Sequence, residues 1–213
     1  MINIVVLISG SGSNLQAIMD ACQSGMIAGR VVGVLSNKAD AYGLVRAQQA
    51  GIATMVINHK DFVNREAFDV AMQQHIDVWQ PDVVVLAGFM RILTPAFVQC
   101  FEGKLVNIHP SLLPVYKGLH THQRVLASGD KRHGCSVHFV NHELDGGAVI
   151  AQAVFDVLPQ DNEQTLTESV HKYEHILYPQ VLSWLANGRL RYQQGVPVLD
   201  NQVLTRPIRL LFQ

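Results

Sequence analysis

At 213 residues and 48% apolar content, the chain suits one domain with a substantial buried core. Its 16 basic and 17 acidic residues leave a formal charge of -1, which argues against binding to nucleic acid or a membrane surface through bulk charge. Three widely spaced cysteines, Cys22, Cys100 and Cys135, form no disulfide framework, and the opening MINIVVLISG lacks the basic start and apolar length of a signal segment. A soluble, cytoplasmic protein is expected.

Residues 2–8 are apolar on both parities, the pattern of a strand covered on both faces in a parallel sheet. Ser9-Gly10-Ser11-Gly12-Ser13-Asn14 follows, and then Leu15, Ile18, Met19 and Cys22 recur at helical spacing. Strand, glycine-rich turn and helix start form a layout that cradles an anion, because glycine allows close backbone approach and free N–H groups point at the ligand. A dinucleotide fingerprint would need a third glycine at Leu15 and an acidic residue where Ser36-Asn37-Lys38 stands. The turn therefore reads as a monophosphate cradle and not a nicotinamide site, the alternative being a Ser/Asn-rich cap on a structural helix.

Strands are expected over 31–35, 53–57 and 83–86, with a helix over 43–49 ended by Gly51. A long helix over 61–79 would turn Phe62, Phe68, Met72 and Ile76 inward, leaving Arg65 as a solvated residue. The next connection, Ala87-Gly88-Phe89-Met90-Arg91-Ile92-Leu93, is unusually apolar for a loop. It either lines an apolar pocket suited to a flat aromatic ligand or packs inward as a helix.

A fifth strand over 105–109 places Asn107 and His109 on one face, and Pro110 ends it. An amide donor and an imidazole at a strand's carboxyl end occupy the position where open α/β sheets carry chemistry. The loop over 111–118 has little to bury and could close over a ligand. Thereafter residues 135–140 alternate, with Ser136 and His138 on one face, and a polar turn over 141–147 leads into a strand over 149–157. The pair reads as a hairpin or a corner, antiparallel to part of the sheet. A helix over 165–187, with Leu166, Val170, Tyr173, Leu177, Val181 and Leu185 inward, ends at Gly188, and residues 189–213 are short-strand and tail material. The fold expected is a Rossmann-like, doubly wound α/β sheet, mostly parallel, with an antiparallel C-terminal part. It would form a single domain over 1–213: a phosphate-binding half over 1–100, a catalytic half over 101–190 and a tail over 191–213.

Asn107 can donate a hydrogen bond, His109 can donate or carry a proton, and Asp145 could orient that histidine. Such a trio stabilises an oxyanion and moves a proton without a covalent nucleophile. The scattered histidines lack metal-ligand spacing, no cysteine sits in a catalytic signature, and no G-x-S-x-G elbow occurs. No metal, nucleic acid or membrane partner is expected.

NIHPSLLPVYKGLHTH from Asn107, VVVLAGFMRIL upstream, SVHFVNHELDGG downstream and the opening ISGSGSNLQAI closely resemble, in order and spacing, the folate-dependent formyltransferases. The GSGSNLQ and LHTH segments resemble the branch of purine synthesis that acts on glycinamide ribonucleotide. The resemblance implies a formyltransferase fold and formyl transfer from 10-formyltetrahydrofolate, a co-substrate, to that ribonucleotide. It also implies residue roles. Asn107 and His109 would stabilise the oxyanion, and Asp145 would keep His109 protonated and oriented while relaying a proton. Gly12, Ser13, Asn14 and Glu174 would hold the ribonucleotide, and Arg65, Met90, Arg91, Ile92, Leu93, Val140 and Asn141 would hold the folate. A monomer or weak homodimer is expected. Ser11, Lys117 and Cys135 depart from residues common in the family, and beyond Arg189 the resemblance fades. The rivals are a formyltetrahydrofolate hydrolase, which would not need the phosphate cradle, and a non-catalytic phosphate-binding module, against which the complete polar trio argues. A nicotinamide dehydrogenase is the weakest.

Overall fold

The computed structural model describes residues 1–212. Strands β1 (Ile2–Ile8), β2 (Gly29–Ser36), β3 (Ala53–Val56), β4 (Val83–Leu86) and β5 (Leu105–His109) alternate with helices α1 (Ser13–Gln23), α2 (Tyr42–Gln49), α3 (Arg65–Val78) and α4 (Pro95–Cys100). Then come α5 (Thr121–Ser128), the hairpin β6 (Arg132–Phe139) and β7 (Val149–Asp156), and the long α6 (Glu163–Ala186). The chain finishes with β8 (Leu190–Gln193), β9 (Val196–Leu199), β10 (Gln202–Val203) and β11 (Ile208–Phe212).

The main sheet runs β11-β7-β6-β5-β4-β1-β2-β3, and β8, β9 and β10 form a small antiparallel sheet. Every neighbour in the main sheet is parallel except β6, which is antiparallel to both β5 and β7. This is the expected doubly wound α/β architecture with an antiparallel C-terminal part. The carboxyl ends of β1, β4 and β5 therefore lie side by side.

The side-chain period of two divides the apolar runs between two cores. Ile4, Val6 and Ile8 of β1 pack with residues of α1, α2 and α6, whereas Val5 and Leu7 pack with α3 and α4. Burying each such aliphatic side chain stabilises the fold by about 1.5–3 kcal/mol, so a one-residue slip of β1 would swap two complementary surfaces at once. The same rule aims the site. Val106 and Ile108 of β5 belong to the first core and Leu105 to the second, so Asn107 and His109 project toward the second face. On β6, Cys135, Val137 and Phe139 enter the first core, leaving Ser136 and His138 to project the other way. The strands then pair Asn107 with His138 and His109 with Ser136.

Several boundaries differ from expectation. Helix α3 starts at Arg65 and not at residue 61, because the Asn64 side chain accepts the Ala67 N–H at 2.8 Å and caps the helix there. A 3-10 turn, His59–Asp61, precedes it, so Phe62 lies outside the helix yet still packs on Phe68, ring centroids 5.8 Å apart. Helix α6 begins earlier than expected, through a reciprocal cap between Asn162 and Thr165. Helices α4 and α5 are additional. Thr94 caps α4 with Pro95 in its first turn, a start signal carried by the sequence, whereas α5 has no side-chain cap. The connection from Ala87 to Leu93 is irregular and not helical. The expected tail contributes β11, which covers the edge of β7, with Phe212 stacked on Tyr173 at 4.3 Å. Its last residue, Gln213, lies outside the described residues. Among those residues no helix is long and apolar enough to cross a membrane, and no group of three His, Cys, Asp or Glu is placed to hold a metal ion.

Candidate active site

The turn after β1 is built around Gly12, whose φ of 71° is left-handed. Gly43 of α2 packs directly on it: a Cβ on Gly12 would lie 2.6 Å from the Gly43 Cα. Arg46 braces the turn, donating from Nε to the Ser11 carbonyl at 2.9 Å and from Nη1 to Gln16 Oε1 at 3.2 Å. The first intrahelical bond runs from Gln16 N–H to the Gly12 carbonyl, which leaves the N–H groups of Ser13, Asn14 and Leu15 without helical acceptors. That is an anion-binding end. Asn14 crosses to α6, where its Nδ2 donates to the buried Glu174 Oε2 at 2.9 Å, while Asn14 Oδ1 has no protein partner. Burial pushes the Glu174 carboxyl up to about 7, against the Asn14 hydrogen bond, which favours the charged form.

Two strands along, Asn107, His109, His138 and Asp145 meet. The buried His138 is drawn down to about 4 by desolvation, against the Phe139 carbonyl and Asp145, so it is neutral near pH 7. Its Nδ1–H donates to the Phe139 carbonyl at 3.0 Å, leaving the lone pair of Nε2 to accept from Asn107 Nδ2 at 3.1 Å. The neutral ring thus sets which way the Asn107 amide points, with one N–H of its amino group left over. The 3.9 Å approach of His138 Nε2 to Asp145 Oδ1 is accordingly no ion pair at neutral pH. His109 stands between two acceptors. Its Nε2 donates to the Tyr116 carbonyl at 2.9 Å, and its Nδ1 lies 3.3 Å from Asp145 Oδ2. Asp145 sits at φ 49° in the β6–β7 turn, and its Oδ2 also accepts the Gly118 N–H at 2.9 Å.

A cleft opens beside this group, lined by Phe89, Arg91, Ile92 and Leu93 from the irregular connection, by Asn107 and His138, and by Val140 to Asp145. The connection is pinned at its middle and at its far end. Met90 N–H donates to Ser9 Oγ at 2.8 Å, and Thr94 N–H donates to the buried Asp69 at 2.6 Å. Of the two readings open for it, the structure takes the pocket wall. Arg65 and Met90 are exposed and lie outside this lining, Met90 being tied in by its backbone. The role of His138 escaped the sequence reading. Its shared parity with Ser136 was visible, but only the β5–β6 register places it on Asn107.

Residues 2–182 match the family model described as formyl transferase. The chain belongs to this family. This formyl transferase is 58% identical over 202 residues, 95% of each chain, to the phosphoribosylglycinamide formyltransferase of Escherichia coli (strain K12). It is 49% identical over 187 residues to the trifunctional purine biosynthetic protein adenosine-3 of Drosophila melanogaster, covering 87% of this chain and 14% of that protein. The solved structure of the phosphoribosylglycinamide formyltransferase from Coxiella burnetii superposes with a TM-score of 0.93 at 51% identity, covering 97% of this chain and 99% of that one. Similarity over 202 residues reaches past Arg189, where the motifs fade, so part of the tail is shared with the Escherichia coli relative.

Proposed function

We propose that this formyl transferase moves the formyl group of 10-formyltetrahydrofolate to the amine of glycinamide ribonucleotide, in the synthesis of purines. The observation that carries the reading is the convergence of one free amide N–H of Asn107, the His109 ring and the Asp145 carboxylate beside an apolar cleft, with an anion cradle two strands away. The ribonucleotide phosphate would sit on the N–H groups of Ser13 and Asn14 at the Gly12 turn, with Glu174 and Asn14 Oδ1 as acceptors for its polar groups. The folate would enter against Arg91, Ile92, Leu93, Val140 and Asn141, with Met90 and Arg65 nearer the solvent side. Free thiols at Cys22, Cys100 and Cys135 support a reducing, cytoplasmic setting.

The amine attacks the formyl carbon, and the carbonyl electron pair moves onto oxygen. Asn107 Nδ2–H donates to that oxyanion, and the His109 ring stabilises it from Nδ1, the nitrogen not bonded to the Tyr116 carbonyl, charge being met where it develops. The proton released by the attacking nitrogen passes to Asp145, directly or through water. When the oxyanion collapses, the C–N10 bond breaks and N10 of tetrahydrofolate takes up a proton.

The test follows deformylation of 10-formyltetrahydrofolate spectroscopically with and without glycinamide ribonucleotide. Turnover that requires the ribonucleotide is the expected result. Formate release indifferent to it would replace the transferase reading by a hydrolase. Asn107→Ala should lower kcat by about a hundredfold or more, as for other oxyanion donors. Asp145→Asn with near-wild-type turnover would remove that carboxylate from the mechanism.

A further inference from the structure

The three-residue turn Tyr116-Lys117-Gly118 touches both members of the histidine–aspartate pair, with opposite hydrogen-bonding sense. The Tyr116 carbonyl accepts from His109 Nε2 at 2.9 Å, and the Gly118 N–H donates to Asp145 Oδ2 at 2.9 Å. A carbonyl can only accept, so the proton on Nε2 is required in every ionisation state that keeps this bond. The neutral ring then carries its lone pair on Nδ1, the nitrogen 3.3 Å from Asp145. Proton traffic at His109 is confined to that one atom.

The turn is held from outside. Tyr116 adopts φ 57°, uncommon for a bulky residue, so its surroundings must over-determine it. Its hydroxyl donates to Asp130 Oδ2 at 2.6 Å, with Ser128 Oγ at 2.7 Å. The Arg124 guanidinium lies over its ring, 5.1 Å from the centroid, an attractive placement for a cation. The same guanidinium donates from Nη1 to the Lys117 carbonyl at 2.7 Å and reaches the Leu119 carbonyl at 3.4 Å. Arg124 and Ser128 belong to α5, and Asp130 stands just beyond its end.

We propose that this turn is a tautomer clamp on His109, and that Tyr116, Arg124 and Asp130 are positioning residues for formyl transfer. Asp130 and Arg124 act through Tyr116 and touch no reacting atom. The kinetic part rests on the function proposed above; the tautomer part does not.

Long-range 1H–15N spectra of the full-length protein, with the His109 ring assigned by a His109→Asn variant, read the tautomer directly. In its neutral form the wild-type ring should show the Nε2–H tautomer alone. Tyr116→Phe and Asp130→Ala should show a mixture of the two neutral forms. Both should lose roughly ten- to a hundredfold in kcat, the scale of a small misplacement of a reacting group, with KM for either substrate close to wild type. Asp130 is exposed, so its variant should fold normally. A wild-type ring with its proton on Nδ1, or variants that keep both the wild-type tautomer and kcat, would overturn the clamp. A wild type without formyl transfer but with the Nε2–H form would sink the functional reading and leave the clamp standing.

Discussion

At the scale of single residues, the arrangement turns on a histidine that does no proton chemistry. His138 is buried and drawn down to about 4, which keeps its Nε2 free to accept from Asn107. A charged ring there would donate, forcing the Asn107 amide to turn its oxygen inward and its N–H groups away from the ring. His138→Leu should therefore lower kcat by about tenfold, less than removal of the donor itself, with KM for both substrates little changed. His138→Gln, whose Oε1 can accept the same bond, should recover much of that loss. Steady-state kinetics on the two variants decides it: equal activity in the leucine variant and the wild type would mean that the strand alone orients Asn107. Asn107 and His109 were legible in the sequence because a strand's parity is local. Asp145 was legible too, as the third polar member of the trio, but the hold of His138 on Asn107 was not, because it depends on the β5–β6 register, which no local pattern encodes.

At the scale of elements, the turn between β1 and α1 was readable from its glycines, yet the reason for one of them was not. Gly12 needs its positive φ, and α2 presses Gly43 against it, tied by a hydrogen bond from Gly43 N–H to the Gly10 carbonyl at 3.0 Å. Gly12→Ala adds about 1–2 kcal/mol of left-handed strain and a Cβ that meets backbone at 2.6 Å. Neither can be relieved without moving the cradle. Affinity for glycinamide ribonucleotide, measured by calorimetric titration, should fall about tenfold or more, and affinity for the folate should stay near wild type. Unchanged ribonucleotide affinity would show that the phosphate binds elsewhere. The same distinction between local and non-local signals explains the missed helices. Residues 95–100 are too short to display periodicity, and α5 starts at a left-handed His120 with no capping side chain.

At the scale of the whole molecule, two-sided burial of the sheet forces titratable groups into places where they resist ionisation, and this sets how stability responds to pH. Burial draws His133 and His138 down to about 4 from 6.5 and pushes Glu174 up to about 7 from 4.5. For the two histidines the folded value is depressed, so the unfolded chain takes up their protons first as pH falls below 6.5, and stability is lost toward 4. For Glu174 the folded value is raised, so its contribution is full below 4.5 and disappears as pH rises to 7. Between 4.5 and 6.5 the unfolded chain therefore holds two protons that the folded chain lacks, and lacks one that the folded chain holds. The net difference of one proton makes stability fall on acidification by on the order of 1.4 kcal/mol per pH unit from these three groups. His122 and His175, also lowered by burial, act in the same sense, and the buried Asp69, raised by burial, acts against them. Glu174→Gln removes the opposing proton. Urea unfolding at several pH values should then give that variant a slope steeper than wild type by roughly 1.4 kcal/mol per pH unit across this window, and greater stability than wild type above pH 7. Parallel slopes in the two proteins would mean that Glu174 titrates in the folded chain as it does in the unfolded one, and that Asn14 compensates fully for its burial.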